Sequence, residues 1–205
     1  VALRTVDTTQ GDLFGDAAPA LPSGWRFEPD FIDAAHEAEL LQLIATLPLA
    51  PSQYKGYTAG RRVASYGGRY DFDANRLLPA DPMPAALQPL RERVGAWLGI
   101  APEAFGHLLV AQYPAGTPLG WHRDVPDFER VVGLSLGSPA RMRLRPYPPV
   151  ELKAGDGVAV ELPPRSIYLL EGEVRWGWQH SIAPTPGLRH SITLRTLRLP
   201  ERVER

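Results

Sequence analysis

The 205-residue sequence contains no cysteine. That excludes disulfide staples and thiolate metal sites, and leaves histidine and carboxylate side chains as its strong metal ligands. It also fits a reducing compartment, so a cytoplasmic protein is expected. No run of about 18 or more apolar residues occurs, and the first residues lack a basic-then-apolar signal. Neither a transmembrane helix nor a membrane partner is therefore expected. An excess of one charge is missing as well: 22 Lys and Arg stand against 23 Asp and Glu, a formal net charge of −1. Proteins that grip nucleic acid by neutralising many phosphates are usually strongly basic, so any such contact here should be local and weak. The remaining composition, 44% apolar and 22% charged, bounds one globular domain with a core, expected to be monomeric.

The pattern along the chain changes character part-way. Residues 1–22, with Gly11, Gly15, Pro19 and Pro22, read as an extended arm. Trp25–Phe27 reads as a short strand. Asp33 is an N-cap for a helix to Thr46, with Ala34, Ala38, Leu41 and Ile44 on its apolar face, stopped by Pro48 and Pro51. Residues 52–60 read as a loop, Arg61–Gly67 as a strand and Tyr70–Asn75 as a turn. A second helix is predicted from Pro84 to Trp97, carrying Leu87, Leu90, Val94 and Trp97, with Gly99 just past its end. From His107 onward, short strands separated by Gly and Pro recur about every ten residues. They are His107–Tyr113, Leu119–His122, Val131–Leu136, Ala140–Arg145, Gly157–Leu162, Ser166–Leu170, Trp176–Ile182 and Arg189–Leu197. The fold class is mainly β with flanking helices: a barrel or sandwich over 107–200, with helices of residues 23–106 packed outside it.

Chemistry concentrates in two places. In Trp121-His122-Arg123-Asp124, His122 and Asp124 are two apart and share one side of an extended backbone. An imidazole and a carboxylate so placed are two ligands of a facial 2-His-1-carboxylate iron site, which leaves positions open for other ligands. His180, in Trp176-Gly-Trp-Gln-His180, is the candidate third ligand, although a histidine on an apolar strand, taken alone, is more often a satisfied core residue. The second place is Arg189-His-Ser-Ile-Thr-Leu-Arg195. It alternates with period two, setting Arg189, Ser191, Thr193 and Arg195 on one face and His190, Ile192 and Leu194 on the other. Two arginines on an inward face require an anion, and a diacid would satisfy both.

The order H-x-D, distal histidine, then R-x-S-x-T-x-R resembles the AlkB family of iron(II) and 2-oxoglutarate dependent dioxygenases. The resemblance runs from His107 to Arg198 and includes Tyr113-Pro-Ala-Gly, Val132-Gly-Leu-Ser-Leu-Gly-Ser138, Leu162-Pro-Pro-Arg-Ser166, Leu170-Glu-Gly-Glu173, Arg175 and Trp178-Gln-His180. It implies a double-stranded β-helix (jelly-roll) core. It also implies Fe(II) held by His122, Asp124 and His180, with 2-oxoglutarate and O2 as cosubstrates, and oxidative demethylation of alkylated bases in nucleic acid. Arg189, helped by Tyr113 and Ser191, would take the far carboxylate of 2-oxoglutarate. Arg195 would contact the C1 carboxylate, unless it forms a salt bridge to Glu171 or Asp124 instead. One departure is Ala111, where the family carries an asparagine two residues before the tyrosine. Losing a hydrogen bond to a charged group costs about 1.5–3 kcal/mol, enough to weaken cosubstrate binding without abolishing it.

The resemblance further implies a nucleotide-recognition lid before the barrel, where this chain has Tyr66-Gly-Gly-Arg-Tyr70, and an arginine near the pocket, here Arg175. Tyr66, Tyr70 and Trp121 are candidates to stack on a base, and single-stranded or damaged nucleic acid is the expected partner. Arg141, Arg143 and Arg145 alternate on one strand, as either a phosphate-tracking stripe or a solvated face. Two other readings stay open: an oxygenase acting on a protein side chain or small molecule, and a non-catalytic metal-binding jelly roll.

Overall fold

The computed structural model describes residues 4–6, 20–54, 57–149 and 157–198. In chain order its elements are β1 (Arg4–Val6), β2 (Trp25–Glu28), α1 (Ala34–Thr46), β3 (Ala50–Tyr54), β4 (Tyr57–Tyr66), β5 (Gly68–Asp71) and β6 (Arg76–Pro79). They continue with α2 (Gln88–Leu98), β7 (Phe105–Tyr113), β8 (Leu119–His122), β9 (Phe128–Gly137), β10 (Ala140–Pro146) and β11 (Val158–Leu162). The last are β12 (Ile167–Leu170), the short α3 (Gly172–Trp176), β13 (Trp178–Ile182) and β14 (Arg189–Leu197). A seven-stranded sheet, ordered β2-β12-β9-β14-β7-β4-β3, faces a five-stranded one, ordered β1-β11-β10-β13-β8. This is the expected jelly roll with its helices outside.

Strand alternation creates two separate interiors. On β14, Ile192 and Leu194 point outward and join Leu108, Val110, Val132 and Leu134 beneath Leu40 and Ile44 of α1 and Leu90 and Val94 of α2. The opposite face of the large sheet looks at the small one, and there Val131, Met142, Leu144, Val160, Leu162 and Tyr168 form a second core. β14 is the middle strand of the large sheet and pairs antiparallel with β7 on one side and β9 on the other. Its polar face is therefore enclosed between the sheets, so every group on it must find a partner inside.

The helices follow local rules. Asp33 caps α1, accepting the His36 N–H at 2.8 Å. Gly99 ends α2 in the left-handed conformation at φ 69°. The predicted face of α1 is corrected: Ala34 and Ala38 are exposed, while Leu40 and Ile44 are buried. The helix turns this way because the Glu37 carboxylate accepts from the Gly137 N–H at 2.9 Å and pairs with Arg165 at 3.2 Å, drawing its own side inward.

Three other boundaries differ from the sequence reading. The stretch 52–60, read as a loop, belongs mostly to the β3–β4 hairpin. Pro51 suggested a break, but β3 is the outermost strand of its sheet, where a missing N–H is tolerated. Trp176, read as the start of a strand, ends the single helical turn α3. The turn expected over Tyr70–Asn75 is narrower, connecting β5 to β6, with the Asp71 carboxylate accepting the N–H groups of Asp73 and Ala74. Of the expected arm, Arg4–Val6 forms β1 in parallel with β11, and residues 7–19 lie outside the described residues. No helix among the described residues is long and apolar enough to cross a membrane.

β2 seals one edge of the large sheet and is tied to the start of α3, since the Glu171 N–H donates to the Gly24 carbonyl at 3.1 Å. Gly24 has φ +85°, and a Cβ there would come within 1.9 Å of the Glu171 carbonyl oxygen. Gly24→Ala combines left-handed strain with a backbone clash, so it should destabilise the fold by about 2 kcal/mol or more. Urea denaturation should show this as a lower midpoint at an unchanged slope.

Candidate active site

His122 ends β8, and His180 is its cross-strand partner on β13. The two rings lie 4.2 Å apart between centroids. Asp124 follows in the loop, turned back so that one Oδ2 lies 3.6 Å from His180 Nε2. One ligand atom from each of the three residues falls within 4.8 Å of the others. The His122 Nδ1 meets the Gly120 carbonyl at 2.8 Å. That contact requires the proton on Nδ1 and leaves the Nε2 lone pair free for a metal. Burial pushes both imidazoles toward their neutral forms, His180 down to about 3, which keeps them competent as ligands.

The carboxylate is fixed from the other sheet. Arg195, on β14, donates through Nε at 2.9 Å and through a terminal nitrogen at 2.8 Å, both to Asp124 Oδ1. This is the salt bridge weighed as the alternative role of Arg195. It occupies one carboxylate oxygen and leaves Oδ2 facing His180. Burial alone would raise the Asp124 pKa, but Arg195, then the two histidines, hold the group well below the usual carboxylate range. Behind the guanidinium, a terminal nitrogen of Arg195 contacts His107 Nδ1 at 3.2 Å. Burial first, and Arg195 second, push the His107 imidazole down to about 3, so it is a neutral acceptor for that N–H.

Arg189 lies at the other end of the same face and is 1% exposed. Its Nε donates to Ser135 Oγ at 3.3 Å, and its guanidinium stands 5.1 Å from the Tyr113 ring centroid. Among the described residues no carboxylate pairs with it. A fully buried cation without an internal counter-ion is a site for an anionic ligand. Ser191 two residues along the same strand, Ser135 on β9 and Tyr113 on β7 stand around that position. Two neutral imidazoles, one free carboxylate oxygen and a buried guanidinium thus suit iron(II) beside a diacid.

A comparison with known protein families matches residues 39–199 to the 2OG-Fe(II) oxygenase superfamily. The chain belongs to that superfamily. Within it the chain is AlkB-like: it is 32% identical over 177 residues to the Alkylated DNA repair protein ALKBH8 homolog of Arabidopsis thaliana, covering 75% of this chain and 49% of that protein. It is also 30% identical over 174 residues to the tRNA (carboxymethyluridine(34)-5-O)-methyltransferase alkbh8 of Xenopus tropicalis, covering 82% of this chain and 26% of that protein. The chain thus spans about half the length of the first relative and about a quarter of the second. The solved structure of OsALKBH1 shares the fold at a TM-score of 0.65 and 16% identity, over 86% of this chain and 98% of the other. The protein is a dioxygenase whose family uses Fe(II), 2-oxoglutarate and O2, and the donor set above fits them. The non-catalytic jelly roll, left open by the sequence, is set aside.

The four residues expected to meet the oxygenase substrate fare differently. Tyr66 is 7% exposed in the core beneath the helices, on the opposite face of β4 from the site, so its expected stacking role is corrected. Trp121 is corrected too. Next to inward-facing His122, it points out of the small sheet, where Arg145 covers it at 4.2 Å and Arg143 at 5.2 Å. Those two arginines also bond Gln179 and Ser181, so the stripe is occupied by its own sheet. Tyr70 is half-buried on the β5–β6 hairpin, within the field of Asp127 near the metal motif. Arg175, expected at the rim, is 3% exposed; it donates to the carbonyls of Val125 at 2.7 Å and Phe128 at 2.8 Å and so fixes the loop after Asp124.

Sequence reasoning passed over Arg61, His107 and Tyr168. Arg61 shares the inward face of β4 with Val63, which pairs with Ala111; its charge acts on His122, and its buried Nε has no partner among the described residues. The available signal was parity: position 61 alternates with Tyr66, so the two cannot face the same side.

Burial of His107 has a consequence for stability against pH. Its folded pKa, about 3, lies below the unfolded value near 6.5. Between those values only the unfolded chain takes up the proton, so this contribution is complete above pH 6.5 and is lost as pH falls toward 3. His107→Gln keeps an acceptor for Arg195 but removes the titration. Its unfolding free energy should fall less steeply with acid, by about 1.4 kcal/mol per pH unit near pH 4–5. Chemical denaturation of the metal-free protein from pH 4 to 7 measures the difference.

Proposed function

We propose that this chain oxidatively demethylates an alkylated base in single-stranded or damaged nucleic acid, with His122, Asp124 and His180 as iron ligands and Arg189 as the cosubstrate clamp. The observation that carries the diacid half of this reading is the buried guanidinium of Arg189 with no carboxylate of its own. The nucleic-acid half is supported by relatives at 30–32% identity whose names refer to alkylated DNA repair and to a tRNA uridine. When bound, the iron with 2-oxoglutarate and O2 supplies the oxidation, giving succinate, carbon dioxide and a hydroxylated methyl group that leaves as formaldehyde.

The chain's own residues bind and orient. Arg195 holds Asp124 through one oxygen, so the other is presented in a fixed direction. Arg189, with Tyr113 and Ser191 beside it, orients the diacid along β14, and the enclosing strands exclude water. Arg175 holds the loop 125–128 in place beside the metal motif. A methyl on a stacked base cannot reach a site buried between two sheets, so the base must come from a single strand or be flipped. Tyr70 on the β5–β6 hairpin and Arg61 on β4 are the groups available to receive it. With a net charge of −1, the affinity for an oligonucleotide should fall gently with salt, as for about two or three neutralised phosphates.

The clamp is tested by binding. Arg189→Ala should weaken 2-oxoglutarate by about 3–5 kcal/mol, since it leaves a buried carboxylate unpaired. Arg189→Lys should recover little, because an ammonium cannot reproduce the two-pronged fork. An unchanged affinity in Arg189→Ala would show that the anion site lies elsewhere.

The substrate is tested by product. Methylated single strands of DNA and RNA are incubated beside peptides and free amino acids with iron(II) and 2-oxoglutarate. Formaldehyde should appear from the strands, and Tyr70→Ala should lose it while still converting 2-oxoglutarate to succinate. Near-neutral charge, with Asp127 and Glu129 beside the metal motif, favours the rival reading of a protein or small-molecule oxygenase. Product from peptides alone would establish that reading instead.

A further inference from the structure

Tyr168 stands on β12, at the far side of the large sheet from β7, where Ala111 replaces the asparagine typical of the family. Its side chain does not stay over its own strand. A Cβ on Gly133, its partner on β9, would meet Tyr168 Cζ at 2.3 Å and Oη at 2.4 Å. The phenol therefore lies flat across β9 toward β14, over a position that only glycine leaves open. The ring is 7% exposed and stacks on Trp25, 5.7 Å away at an interplanar angle of 6°, which fixes its plane. Gly133 pairs in turn with Thr193 of β14, on the face that also carries Arg189, Ser191 and Arg195, so the hydroxyl is directed toward the face that carries the cosubstrate clamp. Burial pushes its ionisation up to about 12, and it remains a neutral O–H donor across the working range. Among the described residues that hydroxyl has no hydrogen-bond partner.

We propose that Tyr168 is a cosubstrate-binding residue of this chain, its phenol donating a hydrogen bond to the carboxylate of 2-oxoglutarate that Arg189 holds. The contact missing at Ala111 on β7 is thereby supplied from the opposite side of the sheet, through the gap at Gly133. No apolar role accounts for the hydroxyl, because ring packing on Trp25 and Gly133 would be served equally by phenylalanine. This inference rests on Arg189 being the clamp, and the experiment separates the two.

The iron(II)-loaded protein is titrated anaerobically with 2-oxoglutarate, and in parallel with pyruvate, a 2-oxo acid that lacks the far carboxylate. Binding is read by calorimetry and by the visible charge-transfer band. Tyr168→Phe keeps the ring, so its thermal midpoint should match the parent. Its dissociation constant for 2-oxoglutarate should rise about tenfold or more, as for a lost hydrogen bond to a charged group. Its affinity for pyruvate should be unchanged. A 2-oxoglutarate constant within about twofold of the parent would overturn the assignment, and so would an equal loss for pyruvate. If Arg189→Ala weakens 2-oxoglutarate while Tyr168→Phe does not, the clamp stands and Tyr168 alone is refuted. If Arg189→Ala has no effect, the clamp itself is wrong and the assignment of Tyr168 falls with it.

Discussion

An ion pair between Arg195 and Asp124 ties the two sheets together at the end that carries the candidate site. Arg195 belongs to the central strand of the large sheet, and Asp124 to the loop leaving β8 on the small one. Both side chains are nearly sealed from water, at 11% and 7% exposure. Two charges so buried gain little net stability over an apolar pair, and removing either one alone is expensive. What the pair provides is direction. Both bonds end on Oδ1, so Oδ2 is left toward His180, and the facing histidines across β8 and β13 complete a three-sided donor set. His107 takes the outermost N–H of Arg195, which keeps that guanidinium from rotating away.

Everything else in the site depends on which side of a strand a residue occupies. On β14 a period of two sends Ile192 and Leu194 to the helices and Arg189, Ser191 and Arg195 to the enclosed space. The same rule sends His122 inward and Trp121 outward, and Arg61 inward and Tyr66 outward. A slip of one residue in any of these strands would exchange chemistry for packing. The long antiparallel ladders on both sides of β14 prevent that slip, since its apolar face would then have to enter a polar cavity.

This explains what could and could not be read from the sequence. The triad was legible because H-x-D spacing and the alternation of the arginine strand are local properties, independent of the partner strands. Both helices and most strands after His107 were legible for the same reason. The aromatics were not. Tyr66 stands in the stretch that the resemblance matches to a lid, and Trp121 stands beside His122, yet neither fact says which face a side chain takes unless the register is known. The orientation of α1 depended on Glu37 finding Gly137 and Arg165 about a hundred residues away, which no helical period contains. The β3–β4 hairpin was obscured by Pro51, harmless only because β3 lies at an edge.

Ala111 illustrates the limit most sharply. Taken by itself it offers one hydrogen bond fewer to the anion that we propose beside Arg189. A sheet, however, offers the same point in space from more than one strand. Strands lie about 4.8 Å apart, and a tyrosine reaches further than that from its own backbone. The reach is usable only if the intervening residue has no side chain, and here it is Gly133. A small residue on β7, a glycine on β9 and a tyrosine on β12 thus form one arrangement, although they are scattered over nearly sixty residues of sequence. What must be kept for binding is the location of a donor relative to Arg189, and the strand from which that donor comes is free to change.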